Sequence, residues 1–425
     1  MIALLFVLLL AMLGFGFPIA LALGGSSLVY LYVTGLAPDL VAIQRMVEGM
    51  NSFPLIAIPF FIMTGSLMNA TGITERIFGF ALALVGWLRG GLGHVNIVAS
   101  VIFAGMSGTA VADAGGLGSI EIKAMRDQGY DRDFSVAITG ASSIIGPIIP
   151  PSLPMIIYGV MANVSVGQLF AAGFLPGLAM TLALMCMVSY YAYTRGYKRD
   201  ATFSIGGLWR SLRRAFLPLM TPVLLVGGMV SGVFTPTEAA IAAMTYALIL
   251  GAAVYRTLTI RRLLDVSIET IETTAIVMLI VAGASIFGWL ITTSRITEQL
   301  VTLVLSLTTT PWLILLLVNL LLLVVGCFME AVAAITILVP VLLPLMQKIG
   351  IDPVHFGLIM VLNLMIGLLT PPVGLVLYIL ARIAGISFER VSRACAPFLI
   401  PLLITLGLVT YWPSMVLFLP KLIYR

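Results

Sequence analysis

Long apolar runs separated by short polar connectors make up most of this sequence. Residues 2–34 are apolar over more length than one untilted helix needs, with Gly14, Gly16 and Pro18 in the middle. They form either one long broken helix or two tightly joined ones. A polar piece from 38 to 51, holding Asp39, Arg45 and Glu48, leads into residues 53–69, which Pro54 and Pro59 bend. The next run ends near Trp87, which beside Arg89 reads as an interfacial anchor. Residues 103–118 hold so many glycines that a helical hairpin, dipping in and returning, is expected there. Charges from Glu121 to Asp133 alternate in sign and are expected to form a solvent-exposed connector. Further runs follow at 135–158 and 170–193, the latter closed by a basic connector ending near Arg214. None of these runs alternates with the period of two that marks membrane strands, so the expected class is an all-α integral membrane protein. At roughly 20 apolar residues per crossing, the chain has room for about 12 to 16 apolar segments, counting hairpins and broken helices.

Two of the runs cannot remain continuous helices. Proline lacks the backbone donor and clashes one turn back, so Pro147, Pro150 and Pro151 force residues 140–152 to unwind. The same figure recurs at 363–373, where Gly367, Pro371 and Pro372 fall on Gly146, Pro150 and Pro151 without a gap. Four other matches keep the same order: 18–25 resembles 222–228, 72–75 matches 295–298, 104–112 lies on 325–333, and 172–175 matches 396–399. The pattern points to internal duplication. A first repeat would span 1–214, with its hairpin near 98–120 and broken helix at 135–160. A second would span 215–425, with its hairpin near 320–346 and broken helix at 356–381. An odd number of spans per half would invert the halves, the usual basis of alternating access, and paired broken helices mark the binding site of a secondary transporter.

Composition agrees with a membrane protein and narrows the chemistry. The chain is 61% hydrophobic and 9% charged. Its net charge of +5 sits in connectors, where it sets topology rather than offering a nucleic-acid surface. Arg195, Lys198, Arg199, Arg210, Arg213 and Arg214, opposed only by Asp200, mark their connector as cytoplasmic, and Arg256, Arg261 and Arg262 fall on the same side. With Arg382, Arg390 and Arg393 inside as well, a span at 395–419 carries the C-terminus outward, against which Lys421 and Arg425 argue. The first residues read as a retained span, since no basic region precedes them. Cys186, Cys327 and Cys395 lie far apart, and His94 and His355 have no ligand spacing, so neither a disulfide frame nor a histidine metal site is supported. No nucleophile–base pair suggests a membrane-embedded enzyme, and no G-x-x-x-x-G-K-[ST] loop suggests ATP binding.

Unwinding frees backbone carbonyls that hydrocarbon cannot satisfy and that a hard cation such as Na⁺ can. Ser142, Ser143 and Ser152 flank the first break, Asn363 and Thr370 the second. No acidic cage accompanies either, which argues against a divalent ion. Otherwise the prolines merely kink two packing helices. The hairpins could bring Ser107 and Gly326 beside the freed carbonyls. The halves differ where an asymmetric solute would need them to: Glu330 stands where Thr109 stands, Arg295 where Gly72 stands, and Asp113 where Ala334 stands. Arg295 either holds a carboxylate bidentately or sits at the interface at a helix start. Asp113 is either functional or lies near water or at a helix cap.

Residues 107–113, 146–152, 234–239 and 367–374 together resemble the large membrane subunit, of DctM type, of tripartite ATP-independent periplasmic (TRAP) transporters, and the similarity runs through essentially the whole chain. The resemblance implies an elevator: a scaffold and a moving transport domain built from inverted repeats with two re-entrant hairpins, in the bacterial inner membrane and driven by two Na⁺ ions. It implies a soluble periplasmic binding protein that delivers a small organic acid, such as a C4-dicarboxylate, a sugar acid or sialic acid. It also implies a small four-helix membrane subunit beside the scaffold. By motif position, one sodium site involves Ser107, Gly146, Ile149 and Pro151, largely through carbonyls, and the other Gly326, Gly367, Thr370 and Val373. Substrate contact falls near Thr109, Arg295 and Glu330, with Ser152 a further candidate and Asp113 outside these sets. Glu330 departs from the aspartate of many relatives. The alternative within the transporter class is a stand-alone sodium-coupled carboxylate or ion carrier of the same wider superfamily.

Overall fold

The computed structural model describes residues 3–294, 302, 306, 308 and 310–424. Arg295 lies outside the described residues. Within them the regular elements are helices, with one isolated backbone bridge between Arg89 and Arg199. Among the described residues eight helices are long and apolar enough to cross a membrane, including Val166–Thr194, Ile205–Val230 and Ile260–Thr293. The long first run is two helices, Ala3–Gly14 and Ile19–Thr34. Gly16 between them takes φ +80°, which side-chain-bearing residues disfavour, and Pro18 cannot extend the preceding ladder.

Helix Arg132–Ser143 stops, residues 144–152 follow without regular structure, and helix Leu153–Ala162 starts after Ser152. Helix Pro353–Gly367 stops in the same manner, and Leu375–Ala384 starts after Gly374, whose φ is +50°. The Pro150–Pro151 and Pro371–Pro372 bonds are both cis. Before each break stands a helix pair. In the first, Gly91–Ser107 turns at Gly108 and Thr109 into Ala110–Ala112, a π-helical turn Asp113–Leu117 and helix Gly118–Asp127. In the second, Pro311–Phe328 turns at Met329 and Glu330 into Ala331–Lys348.

The charged stretch from 121 to 133 is a solvated connector only in part: it begins inside helix Gly118–Asp127, where Glu121, Ile122 and Met125 are buried, while Lys123, Arg126, Asp127, Asp131 and Arg132 are exposed. The alternation of charge along the sequence conceals an amphipathic helix whose inner face packs on Arg132–Ser143.

Hydrogen bonds and ion pairs gather the ends of these elements at two opposite ends of the molecule. At the basic end Arg195 pairs with Asp131 at 2.8 Å and Arg390 with Asp133 at 2.6 Å. Nearby, Tyr130 Oη donates to Asp200 at 2.5 Å, Leu92 N to the same carboxylate at 2.8 Å, and Gly90 N to the Lys198 carbonyl at 3.0 Å. Val166–Thr194, 29 residues long, then carries the chain roughly 43 Å away. At that far end Tyr158 Oη donates to the Pro353 carbonyl at 2.6 Å and Tyr411 Oη to the Trp312 carbonyl at 3.2 Å. Residues 91–130 thus begin and end at the basic end, and residues 312–353 at the other.

The two halves of the chain interlock. A Cβ on Gly140 would lie 2.8 Å from Leu380, 3.0 Å from Leu369 and 3.5 Å from Cys395, and one on Gly357 would meet Tyr158 at 2.5 Å. Each of these close approaches joins one half to the other; the leucine tips beside Gly140 can give, while the Tyr158 ring beside Gly357 leaves little room for a Cβ.

Candidate functional site at two turn and break junctions

The turn of each helix pair abuts the neighbouring break. At the first junction Leu153 N donates to the Gly108 carbonyl at 3.2 Å, and a Cβ on Gly108 would lie 2.8 Å from the Pro151 oxygen. Gly108 takes φ +67°, so glycine is required there both by conformation and by contact. A Cβ on Gly146 would lie 3.5 Å from the Thr109 oxygen. Ser107, 4% exposed, has a hydroxyl with no hydrogen-bond partner. Among the described residues no backbone N–H bonds the carbonyls of Gly146, Ile149 or Pro151, because the residues that would donate are prolines or are turned elsewhere. An orphaned buried hydroxyl and unpaired carbonyls therefore share one junction. A buried oxygen without a partner is costly, and a bound cation removes that cost.

The second junction is closer still. Gly326 and Gly367 pack backbone on backbone: a Cβ on Gly367 would lie 2.3 Å from the Gly326 carbonyl carbon. Gly374 N donates to the Cys327 carbonyl at 3.4 Å. Among the described residues the carbonyls of Gly326, Thr370 and Val373 receive no backbone N–H, while that of Gly367 accepts one from Thr370 at 2.9 Å. Thr370 Oγ1 donates to the Ile366 carbonyl at 2.9 Å and also lies in hydrogen-bond contact with the Cys327 side chain. Among the described residues no group of three or more His, Cys, Asp or Glu is placed to hold a metal ion. The oxygens on offer are neutral carbonyls and hydroxyls, a donor set that suits an alkali ion better than Ca²⁺ or Mg²⁺.

Buried asparagines hold both junctions, and sequence reading missed them. Asn96 on the first helix pair donates to Thr139 at 2.7 Å and accepts from Ser142 at 2.6 Å. Asn319 on the second donates to Thr410 at 3.1 Å and accepts from Asn363. Ser142 and Asn363 occupy matching positions just before the two breaks, so in each half one asparagine ties the helix leading into the break to its neighbouring pair. A lone asparagine within an apolar run was the available signal.

The remaining candidates fall at distinct places. Thr109 and Glu330 are equivalent: each is the N-cap of the returning arm, with Thr109 accepting from Ala112 N at 3.2 Å and Glu330 from Val332 N at 2.9 Å and Ala333 N at 3.4 Å. Ser152 is fully buried and caps helix Leu153–Ala162, accepting from Met155 N at 3.3 Å and donating to the Pro147 carbonyl at 2.6 Å. Asp113 follows the short helix Ala110–Ala112 at its C-cap position and is buried: it is 1% exposed, accepts from Ser100 at 3.4 Å through one oxygen, and leaves the other without a partner among the described residues. Glu121, also 1% exposed, leaves both oxygens unpartnered. Neither belongs to a junction.

The sequence model of the family described as tripartite ATP-independent periplasmic transporter, DctM component, matches residues 6–415. The chain is 48% identical over 407 residues to the sialic acid TRAP transporter large permease protein SiaM of Vibrio cholerae, covering 96% of this chain and 95% of that protein. It is 44% identical over 408 residues to the sialic acid TRAP transporter permease protein SiaT of Haemophilus influenzae, covering 96% of this chain and 66% of that protein. Among solved structures, the YdaH transporter of Alcanivorax borkumensis is similar with a TM-score of 0.62 at 16% identity, over 89% of this chain and 90% of that one, a likeness of fold.

Proposed function

This chain belongs to the DctM-component family of tripartite ATP-independent periplasmic transporters, and from that premise we propose that it carries out sodium-coupled uptake of a small organic acid across the bacterial inner membrane. The supporting observation is the pair of junctions, each with backbone oxygens that no N–H satisfies. Na⁺ at the first would be held by Ser107 with the carbonyls of Gly146, Ile149 and Pro151. Na⁺ at the second would be held by the carbonyls of Gly326, Gly367, Thr370 and Val373. Each ion bridges a turn to a break, so its binding closes two segments that would otherwise repel through their aligned carbonyls.

The helix pairs enter from opposite ends, and matched breaks stand in both halves. That supports two inverted repeats with re-entrant hairpins, moving as an elevator against a scaffold. Thr109 and Glu330, at the two turns, are the side chains proposed to meet the solute, with Ser152 holding the first break in shape. Arg295, outside the described residues, remains the proposed partner of the solute carboxylate. The two named relatives support a sialic acid as the first substrate to test. A periplasmic binding protein delivering the solute and a small four-helix membrane subunit complete the proposed system.

The test uses proteoliposomes holding this chain with its small subunit and the binding protein loaded with sialic acid. Uptake is expected only with an inward sodium gradient. Equal uptake in choline refutes sodium coupling, and equal uptake without the binding protein refutes the tripartite assignment in favour of a stand-alone carrier.

A further inference from the structure

At the basic end a cavity of about 420 Å³ opens between the first turn of helix Arg132–Ser143, the last turns of Val166–Thr194 and helix Phe388–Cys395. Its wall carries Arg195, Arg390 and Arg393 against one carboxylate, Asp133. Arg195 is paired with Asp131 and Arg390 with Asp133, whereas Arg393 has no ion pair among the described residues. A guanidinium has five N–H donors, so each paired arginine keeps donors to spare, and the side chains of Arg195 and Arg390 are 38% and 54% exposed. With Asp131 counted, the cluster retains one positive charge.

The floor is aromatic. Tyr191 and Phe398 stack at 5.4 Å between ring centres, Phe134 tilts against Phe398 at 6.0 Å, and Arg195 lies over the Tyr191 ring at 4.8 Å. The cavity lies at the ends of two candidate spans, Val166–Thr194 and Phe388–Tyr411, and therefore at headgroup depth. A free polyanion would exceed the single unbalanced charge and gain nothing from the aromatic floor. A monoanionic phosphodiester with apolar glycerol and acyl carbons matches both, and basic pockets between spanning helices are a recognised place for anionic lipid headgroups in general.

We propose that this cavity binds the phosphodiester headgroup of an anionic membrane lipid, with phosphatidylglycerol the simplest such ligand. The lipid would bridge the broken helix of the first half to helix Phe388–Cys395 of the second, reinforcing the link that Arg390 and Asp133 already make. This inference does not rest on the transport reading.

The experiment places the full chain in nanodiscs and measures phosphatidylglycerol retention by native mass spectrometry, with phosphatidylcholine as reference. Wild type is expected to retain phosphatidylglycerol preferentially. Arg393→Gln should weaken that preference about fivefold. Arg393→Lys should keep most of it, and Arg261→Gln, which removes a charge from the same end of the molecule but from outside the cavity, should leave it unchanged. Arg393 is exposed and unpaired, so these variants should fold. Equal retention by Arg393→Gln and wild type overturns the proposal. So does displacement of the lipid by millimolar inorganic phosphate, which would identify a site for soluble anions.

Discussion

Placing one methyl group at the Gly326–Gly367 junction gives the most discriminating prediction. In Gly367→Ala the new carbon would lie 2.3, 2.5 and 2.6 Å from the carbonyl carbon, Cα and oxygen of Gly326. Carbon atoms pack at about 3.5–4.0 Å, so a backbone must retreat by roughly 1 Å, and no flexible side chain is available to yield instead. Overpacking of this kind costs about 1–3 kcal/mol. In Gly326→Ala the nearest atoms are the Cα atoms of Gly367 and Leu364 at 3.2 Å, which need give only a few tenths of an ångström. Alanine also favours the helix in which Gly326 sits by up to about 1 kcal/mol, so this second cost nearly cancels. The two variants carry the same chemical change in one contact and differ only in direction of approach. Sodium dependence of uptake in proteoliposomes, together with melting temperature in detergent, should show Gly367→Ala losing about tenfold or more in sodium affinity. Gly326→Ala should change it by less than about threefold. A reversed order, or an unchanged sodium dependence in Gly367→Ala, would refute the close packing of turn on break and with it the second ion site.

Other consequences are open to measurement. Asn319→Ala removes the acceptor of one Asn363 amide hydrogen, the other keeping its bond to the Ile359 carbonyl, and should cost about 1–3 kcal/mol, read as a fall in melting temperature, with Asn96→Ala behaving alike; no change in either would mean the asparagines hold nothing. The Arg390–Asp133 pair is exposed, so a double-mutant cycle should give only a weak coupling that vanishes in high salt. Burial and the Asp200 carboxylate hold the Tyr130 phenol above its ordinary range. A raised acid contributes stability that is complete below the unfolded value near pH 10 and is lost as pH rises beyond it. The destabilisation of Tyr130→Phe should therefore be constant between about pH 6 and 9 and shrink only in stronger alkali; a slope near neutrality would contradict the assignment.

The two breaks were legible because a missing proline N–H is a local property, visible in the order of residues. The first hairpin was legible from the density of glycines at 103–118, but which of them takes positive φ, as Gly108 does, depends on the surroundings and was not. Asn96 and Asn319 were not, since an asparagine in an apolar run declares a need for a partner without naming it. Their partners come from 43 to 46 residues away in the first half, and from 44 and 91 away in the second. Glu121 was misread because charge counted along a segment says nothing of which face each charge occupies. The buried Glu121 shares its helix with exposed Ser119, Lys123 and Arg126, which lie on another face.

The interlocking of the halves bears on how the chain is made. Gly140 enters the membrane with its bare backbone patch unmatched, because the side chains that fit it, Leu369, Leu380 and Cys395, have yet to be synthesised. At bacterial-scale elongation of about 5–20 residues per second, that patch faces lipid or a chaperone for roughly ten to fifty seconds. The ribosome thus imposes an interval in which the first half is inserted but unfinished, and during that interval membrane quality control has a target that the completed protein no longer presents.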